Sequence, residues 1–208
     1  MLSRRPPFPR LVDGVALLYE DGGASAARGA DFSDASLLTS PATPLAFAHA
    51  SSRQTDMELA TGEGFAFERK VRVRDAPAVR SARLALIGPD VFEVAYVDRD
   101  GGGYAYLFLD QLRSAGTVSL VADSGGCDDI GNPVGESRTP VHVRDTARAG
   151  AQAMDAARLG VARSVSVTLR ERDYADERRF ELGGRRYDVK SVRAANGWAV
   201  VTGERELA

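Results

Sequence analysis

The chain is poor in the residues that carry most soluble chemistry. It has one cysteine, Cys127, only two lysines, Lys70 and Lys190, and two histidines, His49 and His142. A lone cysteine excludes an intrachain disulfide and any Cys-x-x-Cys metal site. Asp128 and Asp129 beside it disfavour a thiolate, so it is a poor nucleophile. Neither histidine belongs to an HxxxH or HExxH spacing, so no metal or cofactor is expected. No serine sits in a Gly-x-Ser-x-Gly elbow, although a Ser-His-Asp triad stays open on sequence alone. Formal net charge is −2, which gives no global positive field to attract nucleic acid or anionic lipid. No apolar run approaches the ~20 residues that span a bilayer, so no membrane partner is expected. The opening MLSRRPPFPR is basic but has no apolar stretch behind it, so it does not read as a secretory leader. Its prolines make residues 1–11 an extended, poorly ordered arm. A reducing cytoplasm is the expected site of synthesis. On these counts the chain is not expected to be an enzyme.

What is present is a repeated plan. Apolar residues make up 44% and charged residues 27%, as in ordinary globular proteins. GVALLYEDGG, from Gly14, is matched by TVSLVADSGG, from Thr117. Each is followed by a polar connection, 24–43 in the first copy and 127–139 in the second. TPLAFAHASSR then matches TPVHVRDTAR, with Leu45/Phe47 and Val141/Val143 alternating as in half-buried strands. The spacing predicts helices over QTDMELATG and AGAQAMDAARLG, with Met57/Ala60 and Met154/Ala157 on their apolar faces and Gly64 and Gly160 as stops. Strands follow at Phe65, Phe67, Arg69, Val71 and Val73 in one copy and at Val165, Val167 and Leu169 in the other. The most similar stretches come last. In ALIGPDVFEVAYVDRDGGGYAYLFL and FELGGRRYDVKSVRAANGWAVVTG, Gly88 aligns with Gly183, Phe92 with Tyr187, Val94 with Val189 and Val97 with Val192. The fold class expected is mainly β (α+β): two tandem small barrels or sandwiches, each with one short flanking helix. The boundaries are 12–113 for a divergent first module and 114–208 for the second.

Within this plan DRDG at Asp98 reads as a hairpin turn, because Leu109 occupies the place where a calcium loop needs a bidentate glutamate. Arg178, Arg179, Arg185 and Arg186 flank one hairpin and read as a basic, solvated sheet edge that discourages strand pairing.

The second module resembles the head-closure, or head–tail adaptor, proteins of long-tailed phages. The resemblance rests on Ile130-Gly131-Asn132, on Thr146-Ala147-Arg148 before the helix, and on Gly184-Arg185-Arg186-Tyr187-Asp188-Val189. It covers about Thr117 to Glu204, and departs where the family carries aromatic residues in the helix and this chain has Ala153, Met154 and Ala156. The first module is similar in layout, with Ser52-Arg53 before its helix. The resemblance implies a structural protein of the virion neck, assembled in the bacterial host cytoplasm. It implies a ring that joins portal or adaptor to tail proteins, self-associates, and touches packaged DNA only passively. It points to the two connections as inter-subunit or channel loops: Asp31 and Asp34 in the first, and Asp128, Asp129, Asn132, Glu136 and Arg138 in the second. The other reading is a tandem small-barrel module that binds nucleic acid or protein. That reading needs a basic, aromatic-lined face, and the acidic balance counts against it.

Overall fold

A computed structural model describes residues 10–20, 27–39, 41–127, 133–148 and 163–205. They form two units. Described residues 10–20 and 33–112 make the first, and residues 27–32 with 113–205 make the second.

The first unit holds β1 (Gly14–Tyr19), β2 (Thr43–His49), α1 (Gln54–Glu63), β3 (Arg69–Arg74), α2 (Pro77–Ser81), β4 (Leu84–Ile87), β5 (Asp90–Arg99) and β6 (Tyr104–Gln111). Its strands are antiparallel in the order β1-β2-β3-β6-β5-β4, and β4 pairs back onto β1 to close a barrel. The second holds β7 (Gly116–Cys127), β8 (Pro133–Arg148), β9 (Arg163–Arg170), β10 (Arg179–Leu182), β11 (Arg185–Ala195) and β12 (Trp198–Arg205). It closes in the same order, β7-β8-β9-β12-β11-β10. Closure gives every strand a paired neighbour on both sides, which is how a small β module avoids exposed edges.

Pairing register makes the repeat explicit. Gly14 opposes Phe47 as Gly116 opposes Val143, and Leu18 opposes Thr43 as Leu120 opposes Thr139. Ala85 opposes Phe92 as Phe180 opposes Tyr187, and Val97 opposes Leu107 as Val192 opposes Val201. The two cores differ by a size exchange. Ala85 and Leu109 of the first barrel correspond to Phe180 and Gly203 of the second. A Cβ at Gly203 would collide with the Phe180 ring, so glycine there is what lets the larger ring in. Exchanging large for small across facing positions keeps the core filled.

Several expectations change in detail. Helix α1 ends at Gly64 as expected, but it turns Asp56 and Ala60 inward and leaves Met57 57% exposed. The reason is a buried ion pair: Lys70 Nζ on β3 donates to Asp56 Oδ1 at 2.6 Å. Phe65 and Phe67 precede β3 instead of belonging to it. They pack on the outward-facing Phe108 at 5.6 and 4.9 Å between ring centroids, and Phe65 stacks on Tyr96 at 5.0 Å. Helix α2 went unforeseen; it starts with Pro77 in its first turn and buries Val79 completely. The helix expected over Ala149–Gly160, with Met154/Ala157, lies outside the described residues, as does nearly all of the expected arm.

The connection expected over 127–139 is mostly strand. β7 runs to Cys127 and β8 starts at Pro133, so Glu136 and Arg138 are ladder residues opposite Asp123 and Val121. The basic edge is not an edge. β10 pairs with both β7 and β11, because the barrel closes.

Candidate functional site

Residues 27–32, Ala-Arg-Gly-Ala-Asp-Phe, lie in sequence between β1 and β2 yet pack within the second unit. They fold back through a turn in which the Ala30 N–H donates to the Ala27 carbonyl at 3.3 Å. Gly29 sits there at φ +75°, and a Cβ on it would fall on the Pro140 carbonyl oxygen. Only glycine combines that backbone with so close an approach. Phe32 is 1% exposed and meets Trp198 edge-to-face at 5.1 Å, with the Arg170 guanidinium 5.3 Å from its ring. That ring supplies the apolar anchor of the segment.

The polar half of the socket is acidic. Arg28 donates through Nε to the Asp173 backbone carbonyl at 2.9 Å and through Nη2 to the Glu177 carboxylate. The Gly29 N–H donates to Asp173 Oδ1 at 3.0 Å. Glu177 is 4% exposed and is held in place from its own side: Ala175 N–H donates to Oε2, and the Tyr174 hydroxyl donates to the Glu177 carbonyl, both at 2.8 Å. Burial pushes the Glu177 carboxyl up, but the bonds from Arg28 and Ala175 outweigh it and hold it below the ordinary glutamate value. Burial, with Asp176 and Glu177 nearby, pushes the Tyr174 hydroxyl up, so it stays a donor. Arg28, Gly29 and Phe32 thus fill a recess of the second unit that is acidic on one side and aromatic on the other.

Of the sequence candidates, Asp31 is brought to His142, with Oδ2 3.7 Å from Nδ1. Ser114 Oγ lies 2.8 Å from the same Nδ1. A relay needs the hydroxyl and the acid on opposite ring nitrogens, so this trio is not a triad. Asp34 is spent locally: it caps the one-turn helix Ala35–Leu37 by accepting from the Ser36 N–H at 2.8 Å. The Ser36 bonds hold its carboxyl below the ordinary aspartate value. Asp128, Asp129 and Asn132 lie outside the described residues.

The remaining candidates, assigned separately to a loop and an edge, meet on the outer face of the second barrel. Arg186 makes a two-pronged bond to Glu136, each prong 2.9 Å, and reaches Glu181 at 3.0 Å. Arg138 bonds Glu136 at 3.1 Å and Glu181 at 3.2 Å, while Arg179 bonds Glu136 at 2.9 Å and Asp123 at 2.7 Å. Bonds from Arg138 and Arg186 hold Glu181 below its ordinary value, and the bonds Arg186 donates to Glu181 and Glu136 push Arg186 up. Val121, which opposes both Arg138 and Arg179, is only 1% exposed on this outer face, so arginine stems cover it. Arg178 and Arg185 are exposed and form no ion pair among the described residues. The bonded network of Arg138, Arg179 and Arg186 with Glu136, Glu181 and Asp123 is therefore charge-balanced.

The first barrel carries the basic aromatic face that the sequence reading did not find. Lys70, Arg72 and Arg74 on β3 stand opposite Phe108, Tyr106 and Tyr104 on β6. Lys70 Nζ lies 4.7 Å from the Tyr106 ring and 4.9 Å from Phe108, and Arg72 lies 5.7 Å from Tyr104. The alternation in RKVRVR and YAYLF was the available signal; pairing the two strands is what the sequence could not supply. The residues of the peptide socket, Arg28, Phe32, Asp173 and Glu177, were also missed. Their only hint was an arginine and a phenylalanine bracketing a polar loop.

Among the described residues no three His, Cys, Asp or Glu side chains converge as metal ligands, and no helix is long and apolar enough to cross a membrane. No protein-family model, curated protein or solved structure matches the chain.

Proposed function

We propose that the chain is a structural head–tail joining protein of the virion neck of a long-tailed phage or prophage. In this reading it acts as a ring oligomer between portal or capsid and tail, and helps close the DNA channel. Its partners are portal or adaptor and tail proteins and further copies of itself, and it is assembled in the host cytoplasm. The observation that carries this reading is the peptide socket. A residue stretch from a strand connection is held by a closed barrel through a buried aromatic ring, a buried acid and a backbone bond. Closed barrels that grip a folded-back segment through a buried ring and a buried acid suit permanent assembly rather than turnover. The repeated strand order fits the layout on which the resemblance rests.

Two experiments test it. Genes for portal, capsid and tail proteins are expected beside the gene for this chain; metabolic neighbours would overturn the reading. Particles assembled without the chain are expected to package DNA, lose it and carry no tail. Tailed, DNA-retaining particles made in its absence would overturn it equally.

A second reading has its own observation. The ladder of Lys70, Arg72 and Arg74 against Tyr104, Tyr106 and Phe108 is the kind of face that binds single-stranded nucleic acid. It ranks second because the cations already lie over those rings, and Lys70 is paired with Asp56. Salt-dependent binding of a single-stranded oligonucleotide would raise it. The same weak retention at all ionic strengths would remove it.

A further inference from the structure

The register between the two barrels identifies a position that is filled in one and empty of described residues in the other. In the second barrel, Phe32 sits on Arg170 and Trp198, which oppose each other at the end of β9 and the start of β12. In the first, the opposed pair at the end of β3 and the start of β6 is Arg74 and Tyr104. The hydrogen bonds that follow are also equivalent. Asp75 N–H donates to the Gly103 carbonyl and Glu171 N–H to the Gly197 carbonyl, both at 2.9 Å.

Around Arg74 and Tyr104 the first barrel has unmet demands. Arg72 Nε is buried with no acceptor, and Asp75 Oδ1 is buried with no donor. Arg74 is exposed and has no partner among the described residues, and no described aromatic ring covers Tyr104. Two orphaned buried polar atoms within four residues are costly unless something satisfies them, and the filled socket leaves one such atom, Asp173 Oδ2.

We propose that this position is a second peptide socket and that its occupant is the Asp128-Asp129-Ile130 stretch of another copy of the chain. The inference takes the occupant from self-association, as in the neck reading, and otherwise rests on two features of the repeat. Residues 27–32 belong to the β1–β2 connection and dock on the second barrel; residues 128–132 belong to the equivalent β7–β8 connection. In a head-to-tail row the barrel that follows a second barrel is the first barrel of the next chain, so the contact repeats and can close a ring. Charge is complementary in both cases, with opposite sign. The second socket offers Asp173 and Glu177 to Arg28, whereas the first offers Arg72 and Arg74 to two aspartates. A peptide N–H would satisfy Asp75 as Gly29 satisfies Asp173. Ile130 would supply the apolar contact on Tyr104.

Cys127, the only cysteine, adjoins the proposed occupant and gives a direct test. In the Gly102→Cys variant, which puts a thiol on the exposed turn two residues before Tyr104 and keeps Arg74, mild oxidation of the purified full chain is expected to give a ladder of dimers, trimers and larger species joined 102-to-127, mapped by peptide mass. Adding Cys127→Ser, or moving the new cysteine to the exposed Glu58 on α1, should abolish the ladder. No ladder, or a disulfide confined within one chain, overturns the proposal. Separately, Arg74→Glu should weaken self-association in sedimentation by about tenfold or more, and Asp129→Arg in the same chain should restore it. Failure to restore also overturns it. The ring reading is scored apart: rings formed on portal without a 102-to-127 link would sink this contact alone. A ladder from a chain that binds no portal or tail protein would sink the neck reading alone.

Discussion

Replacing Phe32 by alanine should release residues 27–32 from the second barrel without unfolding it. Phe32 is 1% exposed, against Trp198 and Arg170, and the rest of its segment is held by polar bonds. Fully burying a phenylalanine is worth about 2–3 kcal/mol, which shifts the docked–undocked equilibrium by about 30- to 150-fold. Undocking exposes the Arg28–Gly29 bond, which trypsin can cut only when the Arg28 side chain leaves Glu177 and Asp173. When opening and closing are fast relative to cleavage, the cleavage rate tracks the open population. The native variant should therefore be cut at Arg28 faster than the parent by that same factor. Phe67→Ala, which loosens aromatic packing in the first unit, should leave this rate unchanged. Gly29→Ala should act like Phe32→Ala, because its Cβ meets the Pro140 carbonyl at a left-handed φ. An unchanged rate at Arg28 in both segment variants would refute the socket as described.

Three more outcomes follow from the same structure. Glu177 is held below its ordinary value, so its contribution is complete above that value and is lost as pH falls through the lower folded one. Emission from Trp198, the sole tryptophan, should shift as the segment leaves, and Glu177→Gln should flatten that pH dependence. Lys70→Met strands a buried Asp56 and should lower the first unit's stability by about 3–5 kcal/mol in chemical denaturation. Asp56→Leu in the same chain should recover most of it. Gly203→Ala should destabilise the second barrel in the same assay, and Phe180→Leu added to it should recover part of the loss, since the collision is with that ring.

The fold was legible because the repeat and its alternation both act along the chain. Leu45/Phe47 and Val141/Val143, the turns at Gly88 and Gly183, and the equivalent positions of Phe92 and Tyr187 all follow from period-two patterning and turn chemistry. The errors arose where partners lie far apart in sequence. Met57 looked like the buried face of α1, but the buried position goes to Asp56 because Lys70 waits on β3. Phe65 and Phe67 looked like strand residues because they alternate, but Phe108 and Tyr96 recruit them to an outer cluster. Glu136 and Arg138 looked like a polar loop because an outward-facing ladder of charges has no apolar partner residue to mark it. The socket was the least legible of all. A single peptide can be recognised only once Asp173 and Glu177, on the β9–β10 connection, have been gathered beside Trp198 on β12.

The register comparison also says where the two copies have parted. Inside the barrels the divergence is compensated, Ala85 and Leu109 giving way to Phe180 and Gly203, so the interior constrains volume and little else. On the outer face it is not compensated. Lys70, Arg72, Tyr106 and Phe108 correspond to Ser166, Thr168, Val200 and Thr202, exchanging a buried ion pair and an aromatic cluster for smaller hydroxyl and aliphatic side chains. Two positions resist this drift in kind: the arginine ending the third strand, Arg74 or Arg170, and the aromatic residue opening the last, Tyr104 or Trp198. Packing does not require either, since both lie outside the core. In the second barrel that pair holds a peptide. Retention of the same pair in the first, amid a face otherwise rebuilt, is most simply accounted for by the same work.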